Sequence, residues 1–370
     1  MKFTIDLESF KQTIGIISRT SPNRPAISVL ACTKIEVKDN TLTMTTTDLE
    51  RAVVATAQVR VEEDGECLVL TKTLHDLISQ INNDKVKVSL IDKELKVFSN
   101  NLETAMSVVD VEQFPKVPEL DDKANSFEID SESLKTALLK TQFCASIDQA
   151  RPVLSGVYFN FENDSTRIVA TDSFRLAEYR IKNKNRSSIN FILPIAAAIE
   201  LQRILGALNS GTIVKLKASD SQVEFYFSNT KLISKLIYGK FPNYLEIIPT
   251  NISQRIAIDK QELLQSLRAA EIFSRSNGNI VKLKFENKSL NIHSQAAGVG
   301  NYENVIELEE SVENSLESSL NIRYLTDCIN AVDGEIVFCF SQDSAKTLVV
   351  QGSLENDNYR HLIMPLRSSS

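Results

Sequence analysis

No C-x-x-C pair occurs in the chain, and its five cysteines, Cys32, Cys67, Cys144, Cys328 and Cys339, are odd in number and widely spaced. That spacing argues against a disulfide framework or a zinc cluster and leaves buried thiols as the expectation. Histidine is as sparse. His75, His293 and His361 lie far apart, so neither a metal centre nor a histidine general base is indicated, and no metal or cofactor is expected. No stretch approaches the roughly 20 apolar residues of a membrane-crossing helix. Asp6 stands where a secretory signal would have its apolar run, so a cytoplasmic protein with no membrane partner is expected. A phosphate loop is missing too. Gly206 and Gly211 have the spacing, but Thr212-Ile213 follow in place of Lys-Ser or Lys-Thr, and after Gly298 and Gly300 the third glycine position holds Glu303. Positive charge is also short. A net charge of −7 and a pI near 5.3 argue against a protein that simply coats nucleic acid, because nonspecific affinity comes from neutralising phosphates.

What is present is a soluble, globular composition, 42% hydrophobic and 24% charged over 370 residues. That length suggests two to four domains. Three is the number the sequence itself supplies. Phe3-Thr4-Ile5-Asp6 followed by Phe10 recurs as Phe127-Glu128-Ile129-Asp130 followed by Leu134, and as Ile256-Ala257-Ile258-Asp259 followed by Leu263. Each copy reads as a short alternating strand, an Asp helix cap, and a helix with an apolar face. Other residues keep the same offset. Leu30 maps to Leu154, Thr47-Asp48 to Thr171-Asp172, and Arg51 to Arg175, while Phe114-Pro115, Phe241-Pro242 and Met364-Pro365 close the three copies.

Within a copy the pattern predicts strand, helix, several strands, a second helix and more strands, an α+β fold of two helices on antiparallel sheets. Strands are expected at 42–47, 85–91, 156–161, 212–217, 281–285 and 336–340, and second helices at 74–82, 196–208 and 322–332. The acidic, serine-rich stretch 307–319 reads as a solvated loop. Polar linkers at 119–126 and 250–255 imply domains 1–123, 124–251 and 252–370. Asp48 and Asp172 could be offered as a catalytic pair. The repeat explains them better, as turn residues accepting backbone N–H bonds. With no reaction centre, the chain is expected to bind or scaffold, with no catalytic residue.

Several ordered motifs together resemble the bacterial DNA polymerase III β subunit family, the sliding clamps. They are Met1-Lys2-Phe3, Arg24-Pro25, Thr47-Asp48-Leu49-Glu50, Arg151-Pro152-Val153-Leu154-Ser155-Gly156, Val169 to Ala177, Gly239-Lys240-Phe241-Pro242-Asn243-Tyr244, and Met364-Pro365-Leu366-Arg367. The resemblance spans the whole chain. It implies three clamp domains per subunit and a head-to-tail homodimer whose ring surrounds double-stranded DNA, sliding because phosphates are attracted weakly and no base is read. It further implies, as partners, the DNA polymerase catalytic subunit, an ATP-dependent clamp loader, and other polymerases and repair proteins carrying clamp-binding peptides, with a nucleoid-associated location.

Residues follow from the same likeness. DNA contacts are expected from Arg24 in a loop and from Lys11, Arg19, Lys72, Lys135, Lys140, Arg203, Arg268, Arg275 and Arg323, read as helix residues. The peptide pocket would be formed by Leu154, Thr171, Ser173, Phe174, Arg175, Leu176, Pro242, Ile247, Leu362, Ile363, Met364, Pro365, Leu366 and Arg367. The subunit boundary would use Thr104 and Met106 against Ile272 and Phe273. Three places depart from the family pattern. Ile195-Ala196 replaces a frequent basic pair, Glu246 stands where a rim Arg is common, and Ser368-Ser369-Ser370 runs past the usual apolar end. The alternatives are a monomeric interaction scaffold without DNA encirclement, and an enzyme of repeated αβ domains, for which the sequence offers no acidic or metal cluster.

Overall fold

The computed structural model describes residues 1–22, 24–82, 84–100, 102–120, 125–148, 150–185, 187–209, 211–249, 251–341, 348–351 and 358–366. Parts of both expected linkers, 121–124 and 250, lie outside these residues, as do Arg367 and the serine tail.

Among the described residues six α-helices appear, two for each repeat: α1 Leu7–Ile17, α2 Thr71–Gln80, α3 Ser131–Thr141, α4 Ile195–Gly206, α5 Lys260–Ser274 and α6 Ile322–Ala331. The repeated Asp is a cap where its bonding is seen. Asp6 accepts the Ser9 N–H at 3.0 Å and Asp259 accepts that of Glu262 at 2.8 Å, each satisfying an otherwise orphan donor of the first turn. Helix α1 buries Leu7, Phe10, Thr13, Ile14 and Ile17, the face its three-and-four spacing predicts, and α5 buries Leu263, Leu267 and Ala270.

Contacts divide the chain into two compact units. The first holds 1–132 with 200–236, and the second holds 133–199 with 237–370. In the first unit, an antiparallel five-stranded sheet runs in the order 60–63, 2–6, 85–91, 94–99, 102–107. An eight-stranded sheet runs 125–130, 213–218, 222–227, 230–235, 51–58, 41–47, 32–38, 65–70. Its seam, 230–235 beside 51–58, joins residues of the second repeat to residues of the first, with Ile233 opposite Ala52.

The second unit repeats this plan. Its eight strands run 189–194, 156–162, 165–171, 175–182, 359–363, 348–351, 336–341, 252–258. The seam pairs 175–182 with 359–363, Leu176 opposite Leu362. A long ribbon, 280–296 with 300–321, completes it. That ribbon overturns the expected loop at 307–319. Its inner residues Ile306, Leu308, Val312 and Leu320 are buried, whereas Glu307, Glu309, Ser311, Glu313, Ser315 and Glu317 are exposed, and a pairing irregularity between Asn287 and Ser289 interrupts the period of two. Acidic residues on the wet face of a strand had masked the alternation.

All five cysteines are buried and none forms a disulfide among the described residues, and burial pushes the Cys67 thiol up to about 12. Such thiols carry little nucleophilic thiolate.

Candidate binding surfaces

The second unit builds its candidate site at the seam. Strand 165–171 ends in a tight turn in which the Thr171 hydroxyl donates to Arg175 O at 2.6 Å and accepts the Ser173 N–H at 3.1 Å. Asp172 Oδ1 accepts the N–H groups of Phe174 and Arg175, each at 2.9 Å, which is the turn role the sequence implies. Ser173 is held at φ 78°, the left-handed region that side chains disfavour. Strand 359–363 then runs alongside, and Met364 N–H donates to Phe174 O at 2.8 Å.

Beneath this turn Leu154, Leu176, Leu362, Phe241, Tyr244 and Ile248 form one buried cluster. The Tyr158 and Phe241 rings stack at 4.6 Å, and Tyr244 donates to buried Glu178 at 2.6 Å, so the phenol is pushed up, first by burial and then by the Glu178 charge. Of the expected pocket residues, Leu154, Leu176, Leu362 and Ile363 are therefore floor, and Thr171 is buried. Phe174, Ile247 and Met364 are 59%, 46% and 40% exposed. Ser173 and Pro242 are exposed, and Pro365 and Leu366 half-buried. An apolar side chain docking there would bury three hydrophobic surfaces against a buried apolar floor.

Arg175 is not an open pocket wall. Its Nε meets Asp172 at 3.1 Å, Nη1 meets Asp327 at 2.6 Å, Nη2 donates to Phe143 O at 2.9 Å, and the guanidinium lies 4.4 Å from the Tyr324 ring centroid. Arg151, absent from the expected set, donates to Ser173 Oγ at 2.9 Å, and Tyr238 is 95% exposed nearby in sequence. The Arg-Pro motif carried the first signal; an isolated exposed tyrosine carried none. Glu246 accepts from Asn243 at 2.6 Å.

The first unit contains a second copy of the turn. The Thr47 hydroxyl donates to Arg51 O at 2.8 Å, and Asp48 Oδ1 accepts the N–H groups of Glu50 at 3.0 Å and Arg51 at 2.8 Å. Leu49 takes φ 75°, and Lys235 N–H donates to Glu50 O at 2.9 Å, as Met364 does to Phe174.

The basic residues sort into two groups. Arg24, Arg19, Lys72, Arg268, Arg275 and Arg323 are exposed, although Arg275 also lies 3.5 Å from Glu271. Arg19 and Lys72 line one cleft of about 610 Å³ together with His75 and Asp76. The cleft also takes in the start of α2, where Leu70 offers no side-chain cap. A helix start without a side-chain cap, beside two cations, suits a phosphate. Lys11 instead donates to Ile81 O at 3.0 Å. Lys140 is held 2.6 Å from Asp333 and lies over the Tyr179 and Tyr359 rings. Arg203 bonds Glu200 and the Ile16 carbonyl at 2.5 Å, and Lys135 is half-buried. Two residues read as helical are not. Arg19 lies beyond the end of α1, and Arg275 is the C-cap of α5, because each follows the last apolar turn of its helix.

Thr104 and Met106 lie half-buried on strand 102–107, an edge whose one neighbour among the described residues is 94–99. An unpaired edge is a ready template for another chain. On α5, Ile272 is 62% exposed, whereas Phe273 stacks on Tyr302 at 6.3 Å.

Comparison with known proteins matches this arrangement. Family models of the DNA polymerase III beta subunit match in order, its N-terminal domain over 1–118, its central domain over 128–243 and its C-terminal domain over 245–367. The beta sliding clamp of Staphylococcus epidermidis is 24% identical over the full length of both chains. The DNA polymerase III subunit beta of Pseudomonas aeruginosa superposes with a TM-score of 0.94 at 24% identity, covering 99% of this chain and 100% of that one. A sliding clamp from the same organism, bound to griselimycin, gives 0.93 at 24%, covering 99% of each.

Proposed function

The chain belongs to the DNA polymerase III beta subunit family, and from that premise we propose that it is a non-catalytic DNA sliding clamp. Two copies close head to tail around duplex DNA and hold the replicative polymerase to its template. Domains at 1–123, 124–251 and 252–370 supply six repeats to the ring. The observation that carries this reading is the threefold recurrence of one strand-cap-helix unit along the chain, which a ring of equivalent segments requires.

Exposed Arg24, Arg19, Lys72, Arg268 and Arg323 are the residues we assign to phosphate. Each contact is weak and blind to sequence, so no register along DNA is favoured. Lys140 and Arg203 are assigned to internal structure. The Ser173 turn, with Phe174, Ile247 and Met364 around it, takes short apolar peptides from the polymerase, an ATP-driven loader and repair proteins. Strand 102–107 and the Ile272 face of α5 form the subunit boundary.

Light scattering, followed by retention on nicked circular DNA before and after linearisation, tests the ring. A dimer of twice the 41.3 kDa chain that stays on circles once loaded and runs off linear ends is expected. A monomer, or equal loss from both DNAs, supports the scaffold alternative instead.

A further inference from the structure

The Leu49 turn of the first unit has the same backbone frame as the Ser173 turn but a different lining. Leu49, at the position of Ser173, holds a left-handed φ of 75° and still exposes 41% of its surface. Backbone held in this region persists only where surrounding structure fixes it, and such positions cluster at ligand clamps. Beside it Val117, Pro118 and buried Ile233 line an opening of about 60 Å³, enough for the end of one side chain. Where the Ser173 turn carries Phe174 and Met364, this turn carries Glu50 and Lys235, 3.1 Å apart. Lys116, exposed on the same rim, makes no ion pair among the described residues.

We propose that the Leu49 turn is a second peptide site, taking an extended segment that sets an apolar side chain on Leu49 and a carboxylate beside Lys116. The assignment rests on reading the Ser173 turn as a peptide site. The two turns then select different ligands. The Ser173 turn takes neutral apolar side chains, and the Leu49 turn takes an apolar side chain flanked by an acid.

The test is methyl NMR of the full chain, labelled at Leu, Ile and Met, titrated with acetyl-Leu-Glu-Leu-amide and acetyl-Leu-Gln-Leu-amide. Saturable shifts of the Leu49 and Ile233 methyls are expected, with the Glu peptide about threefold tighter, as one exposed ion pair supplies. Lys116→Gln should erase that preference. Leu49→Ser, a change at an exposed side chain, should abolish the peptide-induced shift of the Ile233 methyl with the rest of the spectrum intact. Unmoved Leu49 and Ile233 methyls, or equal affinity for the two peptides, overturn the second site. The Met364 methyl reports the Ser173 turn independently: if it moves while Leu49 is silent, only the second site fails, and if it stays silent with both peptides, the peptide reading of the Ser173 turn fails.

Discussion

Arg175 Nη1 donates to Asp327 at 2.6 Å while its guanidinium plane lies against Tyr324. One side chain from the second repeat is thereby fastened to α6 of the third. Arg175→Ala is expected to destabilise the second unit by about 2 to 4 kcal/mol, since Asp172 loses its partner in a largely buried place. Arg175→Lys should recover less than half of that, because an ammonium cannot reach Asp172, Asp327 and Phe143 O together. Denaturant unfolding of the three proteins decides it, and a fully stable Lys variant would refute the bridging role.

His361 is fully buried in strand 359–363, with its Nδ1 3.1 Å from the Tyr359 hydroxyl and no partner for Nε2 among the described residues. Burial, and then the Arg175 charge, holds its pKa down to about 3 from the ordinary 6.5. The unfolded chain therefore takes up a proton in a window where the folded chain does not. Stability falls as pH drops from 6.5 towards 3, by at most about 1.4 kcal/mol per pH unit from this group. His361→Phe should flatten that part of the curve in thermal melts taken between pH 7 and 4; an unchanged slope would assign the acid sensitivity to other groups.

Gly156 begins the strand 156–162 where it pairs with 189–194. A Cβ there would lie 2.5 Å from Leu193 O and 2.8 Å from an Ile192 methyl carbon. Backbone cannot retreat as a long side chain can, so Gly156→Ala should cost about 2 kcal/mol or more and lower Tm by several degrees. Gly206→Ala, with open space around it, is the control.

Arg24→Ala should leave the dimer and Tm intact and weaken DNA retention, lowering the dependence of log affinity on log salt by about one phosphate contact. Arg203→Ala should do the reverse, lowering Tm with little change in salt dependence, because its guanidinium already serves Glu200 and the end of α1. Equal effects of the two on DNA retention would remove the distinction between free and committed cations.

Much of the architecture was legible because it is written more than once. The strand at 85–91 matches its expected bounds, and the others and the second helices differ by a few residues except at 281–285, which extends into a long strand. The stretch 307–319 was misread because its outward side chains are acidic and its apolar ones sparse. The binding surface was half legible. Repeat offset located Thr171 and Asp172, whose bonds are local, but periodicity could not separate a floor residue such as Leu362 from an exposed one such as Met364. Nor could it tell that Lys140 and Arg203 were spoken for, since Asp333 and the Ile16 carbonyl are 193 and 187 residues away.

The seams at 51–58 with 230–235 and at 175–182 with 359–363 have a consequence for how this chain could be shortened. The copied segment and the folded body are out of phase. A fragment cut at the second sequence boundary would carry 175–182 as a naked strand edge, its row of N–H and C=O groups seeking any other strand. Such a piece invites self-association, so the second seam is also a guard against aggregation.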